Sequence, residues 1–479
     1  MPIRNRQTLD QLKASANDPA RRILLRGADL VGVDKTLTAT HGDVLIRGDR
    51  IEAVAPDLSE AAHDPATIVV DMTDSIVLPG LVDSHVHAWE GQLRGLYPTA
   101  DFENYLALAH GAVGTQYRPE DIAVGEAITA AHALNAGITT IVDNSHNSRT
   151  PAHCDAAVEA LLASGIRAVF CAGAPLMGEH SCALPADLLR LRERYFSSTD
   201  QLVTLRLFDI HPTLESWTFA RDNGFALSAE MGHWVTNLDE LIDSGLMSAD
   251  HTYNHCVGIP PRGWQAFADC GVAVNVVPRS EPQFGLGEAY PSVIEAEQHG
   301  ILPGISSDNE IAYGLDLLTE MRTLLSQQRQ RAYELSFRGH QSVAPWVPTD
   351  VINAATVGSA RNAGLDGIVG VIAPGYKADL ISVDTTAFHL RPKASDAAGT
   401  VVNFATVSDI DVVFVGGQVR KWSHELTDAD LDDLVASAES SRAYLVEQAQ
   451  KAREGEQLDR ITESSDNVAV RNLLTQTGH

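Results

Sequence analysis

The sequence predicts an α/β protein, a closed (β/α)8 barrel beside a small β-sandwich domain assembled from both ends of the chain. Three observations carry this. Eight short apolar, β-rich runs between residues 76 and 306 alternate with helical stretches, the texture of parallel strands buried on both faces. Polar clusters terminate several of these runs. A barrel explains that, because its strand ends converge on one site; a doubly wound open sheet, the competing arrangement, does not. Short strands with Gly punctuation recur only before and after the series, and neither set suffices to close a core alone. The expected division is a polar segment 1–21, a composite sheet domain 22–75 plus 372–422, the barrel 76–371, and a helical extension with a polar tail, 423–479.

In chain order, the first twenty or so residues are polar and predict a short surface helix. Residues 22–29 (RILLRGAD), 43–50 (DVLIRGDR), 51–54 and 67–70 read as strands separated by turn residues. Then comes LPGLVDSHVHAWE, residues 78–90, an apolar run ending in Asp83, His85 and His87. The remaining barrel strands each follow a helical stretch: 138–142 after 119–135, 168–172 after 154–164, 202–210 after 185–195, 226–229 after 214–223, 252–254 after 238–244, 272–277 after 263–269, and 301–306 after 292–298. The last crossover is long, with helices over 315–333 and 348–358. Strands at 378–383, 410–415 and 418–420 return to the small sheet domain, and apolar residues at helical spacing over 428–454 predict a long helix, or two short ones, stopped at Gly455. Residues 456–479 read as a flexible polar arm or as a segment wrapping a neighbouring subunit.

Composition excludes several classes. There are 63 acidic residues against 35 basic ones, a formal net charge of −28, and no dense Lys/Arg cluster, so neither nucleic acid nor an anionic membrane is an expected partner. The five cysteines are not in close-spaced metal pairs and read as reduced core or near-site thiols. With no signal-like or membrane-length apolar run, a cytoplasmic protein with a small-molecule substrate is expected.

The chemistry sits at the strand ends. Histidines two apart on an extended backbone point the same way, so His85 and His87 can face one ion. The fifth strand offers Glu230, with His233 a turn further; the sixth offers His255; the eighth offers Asp308. Two histidines and two carboxylates suit one divalent ion, zinc first, with ferrous iron or manganese as alternatives. Such an ion acidifies a bound water, and His233 and His255 are side chains suited to moving protons or polarising a substrate. Trp89, Gln92, Arg94, Asn144, His146, Arg279 and Glu281 follow strand ends and are candidate substrate contacts, the alternative for each being a loop salt bridge, packing or a solvated side chain. Asp209 could support a second ion or cap a helix, and Glu310 could orient Asp308 or a helix end.

PGLVDSHVH on the first strand, GIRAV at residues 165–169 and the closing stretch from Asn353-Ala354-Ala355 to Gly375-Tyr376-Lys377-Ala378-Asp379-Leu380 resemble the amidohydrolase superfamily. Within it the chain resembles the aminohydrolases, which include S-adenosylhomocysteine, cytosine and guanine deaminases and the triazine hydrolases. The resemblance spans about residues 20–420. It implies a mononuclear site in which His85 and His87 bind the ion, Asp308 binds it and accepts a proton, and His255 orients or polarises the leaving side. It also implies a homo-oligomer.

The fifth strand departs from that pattern. The family places a histidine ligand there and a glutamate three residues later, whereas this chain has Glu230 and then His233. In one register Glu230 ligates the ion and His233 carries protons. In the other Glu230 keeps the shuttle role and Leu227 stands in the ligand place. The expected function is metal-dependent hydrolysis of a C–N bond, deamination of a nitrogen heterocycle first. Cyclic amide hydrolysis, triazine dechlorination, and a lyase, isomerase or decarboxylase with His233 as base are alternatives, as is a non-catalytic binding protein.

Overall fold

A computed structural model describes residues 4–34, 40–287, 290–340, 343–427 and 430–455. The sheet domain begins with β1 (Arg22–Leu30), β2 (Thr40–Arg47), β3 (Arg50–Ala55), β4 (Thr67–Asp71) and β5 (Ser75–Pro79). The barrel follows with β6 (Leu81–Val86), β7 (Ile138–Ser145), β8 (Arg167–Ala172), β9 (Val203–Asp209), β10 (Leu227–Gly232), β11 (His251–Val257), β12 (Ala273–Val276) and β13 (Gly304–Ile305). The chain then returns through β14 (Leu380–Asp384), β15 (Ile410–Val415), β16 (Gln418–Trp422) and β17 (Glu425–Leu426).

The small domain is a single mixed nine-stranded sheet in hydrogen-bonding terms, ordered β17-β16-β15-β14-β5-β1-β2-β3 with β4 also on β1. Where a sandwich has two separate layers, here β1 serves both. Its first half pairs with β4 and its last residues with β5, and the register to β2 shifts between Leu25 and Ala28. Gly27 lies in that bulge with φ +75°, a conformation only glycine adopts without strain. Leu24, Leu25, Val44 and Ile46 from the N-terminal half and Leu380, Val412 and Phe414 from the C-terminal half are all buried. The sheet therefore gains its core only when both termini contribute.

The eight barrel strands run parallel in the order β6 to β13, and a bridge between Val86 and Asp308 brings the two edges together. Burial is continuous along β6, β7, β8 and β11, as expected for strands covered by side chains inside and helices outside. Gly80 marks the passage from sheet domain to barrel, where a Cβ would lie 2.0 Å from Thr139 Oγ1. A buried bidentate pair, Arg167 Nε to Asp379 Oδ2 at 2.7 Å and Nη2 to Oδ1 at 3.0 Å, joins β8 to the residue preceding β14.

Outside the barrel, helices Pro119–Asn135 and Leu214–Asn223 have the predicted bounds, and an N-terminal helix spans Arg6–Ala14. The terminal helix, Leu431–Gly455, packs on helix Pro119–Asn135: Ser441 Oγ donates to Asp121 Oδ1 at 2.7 Å, and the Arg118 guanidinium lies 3.6 Å from the Tyr444 ring centre. The polar tail 456–479 lies outside the described residues. Among the described residues no helix is long and apolar enough to cross a membrane.

Candidate metal centre

The ends of β6, β10 and β11 and the turn after β13 meet at one pocket. The extended backbone of β6 carries His85 and His87 to the same side, and the two rings stand edge to face, 4.7 Å apart. Asp308 is fixed against them by two backbone bonds, Asp308 N–H to His85 O at 2.9 Å and His87 N–H to Asp308 O at 2.8 Å. Its φ is +70°, and His255 and Cys256 at the end of β11 have φ +63° and +56°. Non-glycine residues adopt this region at a cost, and here two of them, Asp308 and His255, bring side chains to one cluster.

The donor atoms converge. Asp308 Oδ1 is 3.2 Å from His85 Nε2 and 3.3 Å from His87 Nε2; Glu230 Oε1 is 3.6 Å from His85 Nε2, and Glu230 Oε2 is 3.4 Å from His255 Nε2. Ligands about 2.0–2.1 Å from a tetrahedral ion stand about 3.3 Å apart along the tetrahedron's edges, so these separations fit one divalent ion. Two overlapping donor sets result, His85/His87/Asp308 and His85/Glu230/His255. Orientation of the rings fits as well. His87 Nδ1 donates to the Asn144 carbonyl at 2.8 Å, which leaves the Nε2 lone pair facing the centre. The Asn144 amide lies 2.5 Å from His85 Nδ1; with its oxygen turned to the ring it accepts that N–H and frees His85 Nε2 in the same way.

Electrostatics point in the same direction. Burial opposes charge on His87, but its hydrogen bond to Asp308 and the charges of Asp308, Glu90 and Glu230 outweigh it and raise the pKa to about 9. Burial likewise opposes charge on His255, yet Glu281, Glu230 and Asp308 raise it to about 9. For Asp308 the hydrogen bonds and charges of His85 and His87 overcome burial and hold the carboxyl well below its usual range. The carboxylates thus gather positive charge, the property a cation site needs. The pocket is a divalent metal site.

The other predicted residues fall into distinct places. Asn144 and His146 are buried at the end of β7, Asn144 against both metal-site histidines and His146 with its ring 4.2 Å from that of His87. Trp89 is fully buried and meets His110, Tyr117 and His146 edge-on, so it packs beneath the site. Gln92 Nε2 donates to Asp121 O at 3.0 Å, in the helix 119–135 packing. Arg94 is paired with Glu310, which also accepts from Thr129 Oγ1 at 3.0 Å and faces His132 Nδ1 at 2.8 Å. Arg279 is bound to Glu320 at 2.5 Å and to the Gly314 carbonyl at 2.9 Å. Glu281 Oε1 lies 3.7 Å from His255 Nδ1 and accepts the Val277 N–H at 2.9 Å. Asp209 accepts from Ser216 Oγ at the start of helix Leu214–Asn223.

His233 is not brought to the cluster. Its N–H bonds Val257 O at 2.8 Å, its side chain is exposed over Gly258, and its ring meets Trp234. Among the described residues it makes no side-chain hydrogen bond or ion pair with Glu230, His255 or Asp308. Leu227, the ligand position in the second register, is a fully buried core residue.

Sequence reasoning passed over Ser280, whose hydroxyl donates to Asp308 Oδ2, and Asn254, which donates to Glu230 Oε1 at 3.2 Å and accepts from Asn275 at 2.6 Å. Ser280 stands between two charged residues in PRSEP that drew the attention instead. It also passed over His110, whose Nε2 is 3.3 Å from His146 Nε2, and Glu90, which accepts the Tyr105 hydroxyl at 2.9 Å and which burial raises to about 8.

Comparison with known proteins places the chain. The family described as "Amidohydrolase family" matches residues 76–213 and 206–420. The 5-methylthioadenosine/S-adenosylhomocysteine deaminase of Moorella thermoacetica is 26% identical over 436 residues, covering 87% of this chain and 97% of that protein. The enzyme of the same name from Natronomonas pharaonis is 27% identical over 437 residues, covering 86% and 96%. Among solved structures, a zinc-bound adenosine deaminase from Xanthomonas campestris superposes with TM-score 0.77 at 20% identity, covering 88% of this chain and 98% of that one. An atrazine chlorohydrolase from Arthrobacter aurescens in complex with zinc superposes with TM-score 0.77 at 22% identity, covering 88% and 100%. The family match extends over most of the chain and includes every residue of the metal pocket: the chain belongs to the amidohydrolase family and is a metal-dependent hydrolase.

Proposed function

We propose that the protein deaminates a nitrogen heterocycle, hydrolysing a C–N bond with zinc as its ion. The observation that carries this is the convergence of His85 Nε2, His87 Nε2 and Asp308 Oδ1 on a pocket whose opposite wall is the Glu230–His255 pair. The deaminase names of the sequence relatives and the zinc in two structural neighbours support the same reading.

His85, His87 and Asp308 would hold the ion, with Glu230 Oε1 completing the set. When bound, the ion supplies a Lewis acid that makes water a nucleophile at neutral pH. Ser280 fixes Asp308 by its bond to Oδ2, leaving Oδ1 to face the histidines. Glu230 spans the pocket, Oε1 toward His85 and Oε2 toward His255, while Asn254 holds it from below. His255, gripped between Glu230 and Glu281, delivers a proton from Nε2 to the departing nitrogen. This assigns the proton carriage expected of His233 to His255 and Glu281, because they touch the cluster and the exposed His233 ring does not. The same placement disfavours a lyase or isomerase that relies on His233 as base. A cytoplasmic homo-oligomer acting on a small molecule, without nucleic-acid or membrane partners, completes the reading.

The test is metal analysis joined to ammonia and chloride release over purines, pyrimidines, their nucleosides and chlorotriazines. One zinc per chain with ammonia release, both lost in His85→Ala, is expected. Fully loaded protein that releases chloride or opens a cyclic amide but frees no ammonia would overturn the deaminase assignment.

A further inference from the structure

Away from the metal pocket, two thiols face each other across a packed boundary. Cys154 lies in the first turn of helix Pro151–Ser164, and Cys182 lies in the segment that follows β8. Both are buried, and their sulfurs are 3.6 Å apart. Backbone bonds hold the segments together, Ser181 N–H and Cys182 N–H to Arg149 O at 2.7 and 3.1 Å. The Cys182 thiol donates to Asp187 Oδ2 at 3.4 Å. Asp187 also takes both arms of Arg190, Nε to Oδ1 and Nη2 to Oδ2 at 2.8 Å each, and Arg190 continues to Asp155 at 2.7 Å.

Two sulfurs and a carboxylate within reach of one another resemble a metal site, but this carboxylate is occupied. Both of its oxygens are bonded to a guanidinium, whose charge repels a second cation. The sulfurs are left with each other. Among the described residues the remaining thiols have no such neighbour: Cys171 and Cys256 point at backbone carbonyls 3.7 Å away, and Cys270 is only partly buried.

We propose that Cys154 and Cys182 form a dithiol site that is oxidised reversibly to an internal disulfide by small-molecule disulfides. Cys154 is the attacking thiol. When the single Cys182 S–H turns from Asp187 to the Cys154 sulfur, that bond, with help from Ser148 and against burial, holds the Cys154 pKa below the usual thiol value, and the first turn of a helix favours the thiolate. Cys154 forms a bond to one sulfur of the disulfide and displaces the first thiolate. Cys182 then attacks the Cys154 sulfur and displaces the second thiolate, and its proton passes to that leaving thiolate. Two cysteine sulfurs are oxidised, two thiols are released, and the two protons leave with them. Both sulfurs are buried, so the reagent reaches them only when the exposed segment 177–181, which directly precedes Cys182, opens.

The experiment treats the metal-loaded protein with oxidised glutathione, quenches by alkylation, and counts thiols after unfolding. Five thiols should fall to three, a peptide pair bridged between Cys154 and Cys182 should appear, and dithiothreitol should restore five. Cys182→Ala and Cys154→Ala, each checked for native circular dichroism and metal content, should form no intrachain bridge. Five thiols persisting after prolonged treatment, a bridge through Cys171, Cys256 or Cys270, or a bridge surviving in either variant would overturn the proposal.

Discussion

Asn144→Ala isolates how much of the metal affinity depends on ring orientation. The substitution leaves the backbone carbonyl that holds His87 in place and removes only the amide 2.5 Å from His85 Nδ1. His85 is fully buried, so no water replaces the lost partner. An unpaired buried polar group costs about 1–3 kcal/mol, and losing the group that orients a histidine ligand weakens metal binding about 10–100-fold, which converts to about 1.4–2.7 kcal/mol. The two magnitudes agree. The expected result is therefore a one to two decade rise in zinc Kd, read by competition with a chromophoric chelator at pH 7.5. Asn144→Asp keeps an acceptor oxygen and should bind zinc more tightly than Asn144→Ala. Unchanged affinity in the alanine variant would refute the orienting role. An aspartate variant no better than alanine would show that the residue does not accept the His85 N–H.

His255→Asn should lower kcat by about 10²–10⁴-fold with zinc content retained, whereas His233→Asn should leave kcat within about threefold; reversal of that order in steady-state assays would return proton carriage to His233. Glu126 and Asp143 are buried together; burial and the neighbouring Asp143 raise Glu126 well above its usual range, while burial raises Asp143 from 3.8 to about 7 against the opposing bonds from Ala88 N–H and Glu126 and the charge of His87. Since the folded state holds the extra proton, the stability this gives is present below about pH 4 and is lost as pH rises through about 7. Glu126→Gln replaces the proton with an amide donor, so its unfolding free energy should exceed that of the native protein by about 1–3 kcal/mol at pH 8 and by less at pH 5; parallel pH profiles in urea titrations would contradict this. Asp379→Ala leaves Arg167 buried without its bidentate partner and should cost about 3–5 kcal/mol, measured by urea unfolding, while a loss below about 1 kcal/mol would mean the junction relaxes or admits water.

Much of the barrel could be read because its signal is local. A strand such as β8, apolar on both faces, and a helix such as Pro119–Asn135, opened by Pro and followed by Gly137, announce themselves within a few residues. His85 and His87 share a strand face by periodicity alone. What a sequence does not display is partnership across the chain. Arg94 and Arg279 read as candidate substrate contacts or loop salt bridges of unnamed partner, and the partners, Glu310 and Glu320, stand 216 and 41 residues away. Both arginines have their guanidinium charge met by buried carboxylates. His233 shows how spacing and placement can differ: it is three residues beyond Glu230 in sequence, and with its N–H bonded to Val257 O its side chain lies over Gly258. The small domain's sheet was legible in its strands but not in its continuity, which depends on a bulge at Gly27 that lets one strand serve two partners.

The bridge between Val86 and Asp308 joins the first barrel strand to the last, and Asp308 is also a metal-site residue 223 positions after His85. A growing or refolding chain that has not yet laid β13 against β6 presents two histidines and no aspartate, so it cannot hold the ion in its final geometry. Metal capture then reports completion of the barrel, and the ion acts as a clasp on its seam. In stopped-flow refolding, zinc uptake should follow the last structural phase and should not accelerate the earlier ones; capture in the first phase would place the ion among the nuclei of folding instead. Loading would be a checkpoint in time as well as a feature of the finished site, with unclosed chains left outside the metallated pool.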